Sequence, residues 1–140
     1  MSLHPNSDVY DIAYLRLSRS ISSNNIRPVG FGARPRANDV TYVVSLGQSE
    51  AGYSAPRLRH ARMTALPKCE CAREEEGLFA QTNSPDNGTC DRDDGAPVIF
   101  RGYLAGLASG KRFACRDRKK EGLFVDISER TVQDFIRGCL

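Results

Sequence analysis

No stretch of this sequence approaches the ~18 apolar residues that a membrane-crossing helix needs, and Met1-Ser2-Leu3-His4-Pro5 offers no apolar signal-peptide core. Neither a membrane span nor a secretion address is legible. A concentrated basic stripe is also missing: 20 Lys and Arg against 17 Asp and Glu, a net charge of +3, are scattered along the whole length. Such a distribution belongs to a solvated surface rather than to a nucleic-acid footprint. Even the densest run, Lys111-Arg112 with Arg116, Arg118, Lys119 and Lys120, has only Phe113 interleaved. Zinc spacing is absent too, because Cys69-Glu70-Cys71 is C-x-C rather than C-x-x-C. There is no internal repeat and no low-complexity segment.

What is present suits one domain, since 140 residues can bury a modest core. Residues 10–17 are rich in strand formers around Ile12, Tyr14 and Leu17, which predicts a short strand with Asp11 at its mouth. The polar stretch 18–25 and the breakers Gly30, Gly32 and Pro35 predict a surface crossover rather than a helix. Residues 40–45 form a second predicted strand, and 58–66 a third, with Leu58, Ala61, Met63 and Ala65 on its half-buried face. A short polar helix is expected within 70–81, followed by turn signals over 82–88. Residues 97–109 alternate about an Arg101-Gly102 turn, which predicts a hairpin, and 123–127 add one more strand. Only 128–138 reads as helix, with Ser128 as N-cap, Glu129 in the first turn, and Val132, Phe135 and Ile136 on one face. Many short strands followed by a terminal helix point to an all-β barrel class.

Five cysteines, at 69, 71, 90, 115 and 139, suit a disulfide framework with one left over. Disulfides persist in oxidising compartments. The missing signal conflicts with that, and an upstream segment absent from this chain resolves the conflict.

Taken in order, several segments resemble the second half of the chymotrypsin/trypsin-like (S1) serine proteases, over essentially the whole chain. Tyr10-Asp11-Ile12-Ala13-Tyr14-Leu15-Arg16-Leu17 resembles the D-I-A-L-L-[KR]-L strand, so Asp11 takes the place of the triad Asp. Cys90-Asp91-Arg92-Asp93-Asp94-Gly95-Ala96-Pro97 resembles C-x-G-D-S-G-G-P, with Asp94 where the nucleophilic serine stands. Gly106-Leu107-Ala108-Ser109 with Cys115 follows G-[IV]-x-S-W-G…C, and 122–128 follow G-V-Y-T-x-V-S. The resemblance implies a partial domain over 1–140: catalytic-Asp strand, crossover, the C-terminal barrel of a two-barrel fold, and the terminal helix.

The departures bear on chemistry. In a Ser-His-Asp triad the hydroxyl attacks the carbonyl, the histidine takes its proton, and the Asp fixes the histidine's tautomer. A carboxylate at position 94 attacking a peptide would give an anhydride, with no route resembling serine catalysis. The family's histidine precedes the start of this chain, and neither His4, beside Pro5 in a loop-like start, nor His60 fills its place. Arg92 occupies the oxyanion-loop glycine position, restricting the backbone where freedom matters.

The former specificity pocket is altered as well. Gly88 takes the position at its base, so no carboxylate attracts a basic side chain, and Gly110-Lys111 replaces the family's Trp-Gly after Ser109. Asp93 matches the Asp that pairs with a new N-terminus on zymogen activation, and without that terminus a solvated carboxylate is expected. Asp86, Asp91, Asp93 and Asp94 break the calcium-loop spacing, and position 102 is Gly. No metal and no cofactor are called for. Asn87-Gly88-Thr89 is an N-glycosylation triplet that counts only on a secreted chain.

Three functions remain in view. The first is a non-catalytic homologue that binds a protease, an inhibitor or a cascade component outside the cell, with no nucleic-acid or membrane partner. The others are an altered hydrolase using Asp93 and Asp94, and a truncated fragment whose exposed apolar face makes it poorly soluble alone. The resemblance also pairs Cys90 with Cys115, stapling the nucleophile loop to the pocket wall, and leaves Cys69, Cys71 and Cys139 unassigned. Intact mass before and after reduction checks this: a bonded chain gains hydrogen on reduction, whereas five free thiols leave the mass unchanged.

Overall fold

Strand-forming residues at period two account for most of the architecture of the protein, which as a computed structural model is described over residues 1–5, 10–47, 57–66, 78–82, 93–109 and 122–140, with backbone alone for 78–82. The strands are β1 (Ser2–Leu3), β2 (Ala13–Tyr14), β3 (Val40–Ser45), β4 (Arg59–Ala65), β5 (Leu78–Thr82), β6 (Pro97–Phe100), β7 (Tyr103–Ala108) and β8 (Gly122–Asp126). Helix α1 (Arg130–Cys139) follows. Strands β3-β4-β5-β8-β7-β6 close into a barrel, and every pairing is antiparallel. Closure joins β3 to β6 through Tyr42↔Ile99 and Val43↔Val98, leaving no open edge in the ring.

Two apolar layers hold this together. Val43, Met63, Ala96, Val98, Ala108 and Phe124 fill the barrel. Outside it, Val125, Ile127 and Val132 of α1 pack with Tyr10 and Ile12, flanked by Leu104, Leu107, Phe135 and Ile136. Phe124 and Val125 are both 0% exposed because successive strand side chains point to opposite faces, and both faces of β8 are covered. Each such burial stabilises by about 1.5–3 kcal/mol.

The hairpin and crossover follow their local chemistry. Arg101 and Gly102 both have positive φ, 52° and 85°, as a two-residue hairpin turn matching the strand twist requires. The crossover docks through Gly32 N–H to Leu104 C=O at 2.8 Å and Leu104 N–H to Gly30 C=O at 2.9 Å. Gly32 is needed there, since a Cβ would fall 2.7 Å from the Cβ of Tyr103.

Several sequence expectations are corrected. The strand over 10–17 shrinks to Ala13–Tyr14, paired with Ser2–Leu3, because the Ile12 N–H turns back to Tyr10 C=O at 2.7 Å. Leu58 is exposed at 67% and does not join Ala61, Met63 and Ala65. In place of a helix reaching residue 81, 78–82 is strand β5; 70–77 lie outside the described residues. The N-cap of α1 is Glu129, whose Oε2 accepts from Val132 N–H at 3.1 Å. Ser128 is engaged elsewhere: its N–H and hydroxyl both donate to Asp126 Oδ1, at 2.8 and 2.6 Å. His4 is not part of a loose start but is buried, edge-on to Tyr10 at 4.7 Å and Phe135 at 5.0 Å.

Replacing Phe124 by Ala should lower stability by about 3–5 kcal/mol, whereas Leu58→Ala should change it by less than about 0.5 kcal/mol. Urea melts of the two variants check this contrast.

Candidate functional site

The candidate site is built where the Asp11 turn, the end of β7 and the tight turn before β6 meet. Tyr10 and Ile12 are buried on either side of Asp11, so the three-residue turn throws the Asp11 side chain to the surface. There the buried Ser109 hydroxyl donates to Asp11 Oδ2 at 3.1 Å. Ser109 is itself held by its N–H to Leu123 C=O at 3.1 Å, which ties it to β8. Ninety-eight residues of sequence separation are thus closed by one hydrogen bond.

The Asp94 turn rests on the same frame. Ala96 N–H donates to Asp93 C=O at 2.9 Å, closing a four-residue turn with Asp94 exposed at its second position. Gly95 follows at φ 77°, a conformation that favours glycine. Its N–H donates to Ala108 C=O at 2.8 Å, and Ala108 N–H donates to Ala96 C=O at 2.9 Å. Ala108 is the residue before Ser109. The Asp94 turn and the Asp11–Ser109 pair are therefore registered on one stretch of backbone.

Asp93 departs from expectation. Instead of being solvated, its side chain is buried and its Oδ1 accepts the hydroxyl of Ser45. Gly47 N–H donates to that same Ser45 oxygen at 2.9 Å, so the serine relays between the carboxylate and the loop after β3. Residue-by-residue matching missed Ser45, although positions 41, 43 and 45 share one side of β3 and Thr41 and Val43 are buried. Asp93 and Asp94 do not make a matched carboxylate pair, since one is buried on a serine and the other meets water.

Of the two histidines, His4 packs behind the Asp11 turn, its backbone N–H donating to Ile12 C=O at 3.1 Å, and His60 lies on β4. His4 is enclosed by Tyr10 and Phe135, and His60 stands on the outer face of β4, edge-on to Tyr42 at 6.1 Å. Gly88, Arg92, Gly110, Lys111, Asn87, Cys90 and Cys115 lie outside the described residues, as do Asp86, Asp91, Cys69 and Cys71. Cys139, in the last turn of α1, is a free thiol. Among the described residues no three His, Cys, Asp or Glu side chains gather as metal ligands, and no helix is long and apolar enough to cross a membrane.

A closed antiparallel barrel with a C-terminal helix on its flank, carrying a serine-held Asp beside a tight Asp-Gly turn, defines the chymotrypsin-like class of barrels. The chain belongs to the trypsin family, whose sequence model (Trypsin) matches residues 2–136. It is 27% identical over 135 residues to trypsin alpha-4 of Lucilia cuprina, covering 89% of this chain and 52% of that protein. It is also 27% identical over 149 residues to snake venom serine protease homolog 2A of Craspedocephalus gramineus, covering 93% of this chain and 54% of that one. Mouse neuropsin, a serine protease, superposes with a TM-score of 0.77 at 20% identity, over 89% of this chain and 60% of its own. The chain spans about half the length of several relatives it matches.

Removing the two serine hydroxyls should have unequal effects. Ser45→Ala takes a donor from a buried carboxylate and should lower stability by about 1–3 kcal/mol. Ser109→Ala acts on an exposed carboxylate that water can solvate, and should cost less than about 1 kcal/mol. Denaturant unfolding of the two variants side by side measures the difference.

Proposed function

We propose that this chain is a non-catalytic member of the trypsin family that acts by binding a protease, an inhibitor or another component of an extracellular cascade. The observation that carries this reading is Asp94: a carboxylate, exposed on the Asp93–Gly95 turn, stands where the family's chemistry needs a hydroxyl. The supporting frame is retained around it, with Asp11 still gripped by Ser109. A binding role needs the folded frame without the nucleophile. Similarity to a venom protein named as a serine protease homolog agrees with it. Secretion, the Cys90–Cys115 disulfide and glycosylation at Asn87 belong to the same reading.

A second reading, a partial domain that packs against a further barrel, is favoured by one observation. Leu15, Leu17, Ile21, Ile26, Val29 and Phe31 are all exposed along the segment from β2 through the crossover. Apolar side chains in such a row suit a covering layer. An altered hydrolase is not favoured, because Asp93 is committed to Ser45.

The test is hydrolysis of chromogenic peptide substrates by the protein isolated from its natural source, which keeps any upstream segment. The expected result is a rate equal to that of buffer for Arg-, Phe- and Ala-terminated substrates. Turnover that disappears in an Asp94→Ala variant would overturn the proposal.

A further inference from the structure

The segment between the Asp11 turn and the barrel is fastened at its two ends and free between them. Residues 15–31 are all exposed. Among the described residues, the one hydrogen bond made by positions 16–29 runs from Asn25 N–H to Ser23 Oγ at 3.2 Å. Before this stretch, Tyr10 and Ile12 sit in the core under α1, His4 is buried between Tyr10 and Phe135, and Asp11 accepts the Ser109 hydroxyl. After it, Gly30 C=O and Gly32 N–H are bonded to Leu104. The middle, Ser18-Arg19-Ser20-Ile21-Ser22-Ser23-Asn24-Asn25, is mostly small and polar. Exposed backbone of this composition is where endopeptidases nick, because it enters a cleft as an added strand with no structure to unfold first.

The side chains set the specificity. Residues 12–38 carry five arginines and no Asp or Glu, and no lysine precedes Lys68. No carboxylate on the segment therefore opposes the anionic pocket that receives an arginine. Backbone context decides among the arginines. Arg27 and Arg34 precede Pro28 and Pro35, whose ring removes the amide hydrogen and stiffens the bond to be cut. Arg36 is locked in a turn, its N–H donating to Asp39 Oδ2 at 2.8 Å and its C=O accepting from Asp39 N–H at 2.9 Å. Arg59 and Arg62 are paired within β4, Arg101 occupies the hairpin turn, and Arg130 and Arg137 belong to α1. Arg16 and Arg57 each lie two residues from a paired strand. Arg19 has unpaired backbone on both sides.

We propose that the bond between Arg19 and Ser20 is a processing site for an arginine-directed endopeptidase, and that the cut leaves a folded molecule of two pieces. Water balances the step: the C–N bond breaks, Arg19 takes the hydroxyl as a carboxyl group, and the Ser20 nitrogen takes the hydrogen as a new amine. The piece ending at Arg19 keeps His4, Tyr10 and Ile12 in their core and Asp11 on Ser109, while the other keeps its crossover on Leu104. The first cysteine is Cys69, so no disulfide joins residues 1–19 to the remainder, and packing alone holds them. Cleavage thus turns the attachment of Asp11 from covalent to dissociable. The site is independent of what position 94 can do.

Limited digestion with an arginine-specific endopeptidase, read by N-terminal sequencing, tests this on the full chain and on the protein from its natural source. In both, the new end beginning at Ser20 should appear tenfold or more faster than the ends created after Arg36, Arg101 or Arg130. For the full chain, the piece 1–19 should travel with the remainder on a size-exclusion column in buffer and part from it in urea without a reducing agent. Arg19→Gln should abolish the Ser20 end without changing the melt, because the residue is exposed; Ser20→Pro blocks the same bond should that variant not fold. The proposal is overturned if the Ser20 end is absent from either preparation, forms no faster than the others, or persists in both variants. Loss of the piece 1–19 on the column in buffer would overturn it as well.

Discussion

The structure depends on β8 being buried on both faces. Phe124 enters the barrel and Val125 enters the layer under α1, each fully removed from water, so one five-residue strand belongs to two cores at once. Asp126 ends that strand as a buried carboxylate, taking two hydrogen bonds from Ser128 and the Arg34 guanidinium at 3.7 Å. It binds the crossover to the start of the helix. A buried charge is tolerable where donors surround it, as Ser128 and Arg34 do here.

From that strand the candidate site is suspended. Leu123 holds Ser109, Ser109 holds Asp11, and the second core holds the Tyr10 and Ile12 side chains that flank Asp11. Ala108 carries the Asp94 turn on its carbonyl and N–H. The placement of the Asp11 side chain is therefore a by-product of core packing, and that packing does not require a hydroxyl at position 94. That separation lets a trypsin-family barrel hold the Asp93–Gly95 turn in place whatever side chain stands at position 94.

Most of the barrel was legible where local signals suffice. Residues 40–45 were expected as a strand, alternation marked β4 and the β6–β7 hairpin, the Arg101-Gly102 turn was placed correctly, and Val132, Phe135 and Ile136 of α1 face one core. The failures share a cause, which is that a distant partner decided the outcome. Strand formers at Leu15 and Leu17 find no neighbouring strand and stay exposed, because β1 offers only two residues to β2. Ser128 is a good N-cap by type, yet Asp126 captures its donors and Glu129 caps instead. Asp93 looked solvated because Ser45 lies 48 residues away. Motif order singled out Asp11, Asp94 and Ser109, of which the structure joins Asp11 to Ser109 and sets Asp94 on an exposed turn, whereas nothing local announced the Ser45 relay.

The most direct measurement of the central claim is the reaction of the natural-source protein with a fluorophosphonate probe, read as intact mass and mapped by peptides. A carboxylate at position 94 leaves no activated hydroxyl for phosphorus to capture, so an unchanged mass is expected under conditions that label trypsin completely. A stoichiometric adduct on any residue of the Asp93–Gly95 turn or on Ser109 would contradict it.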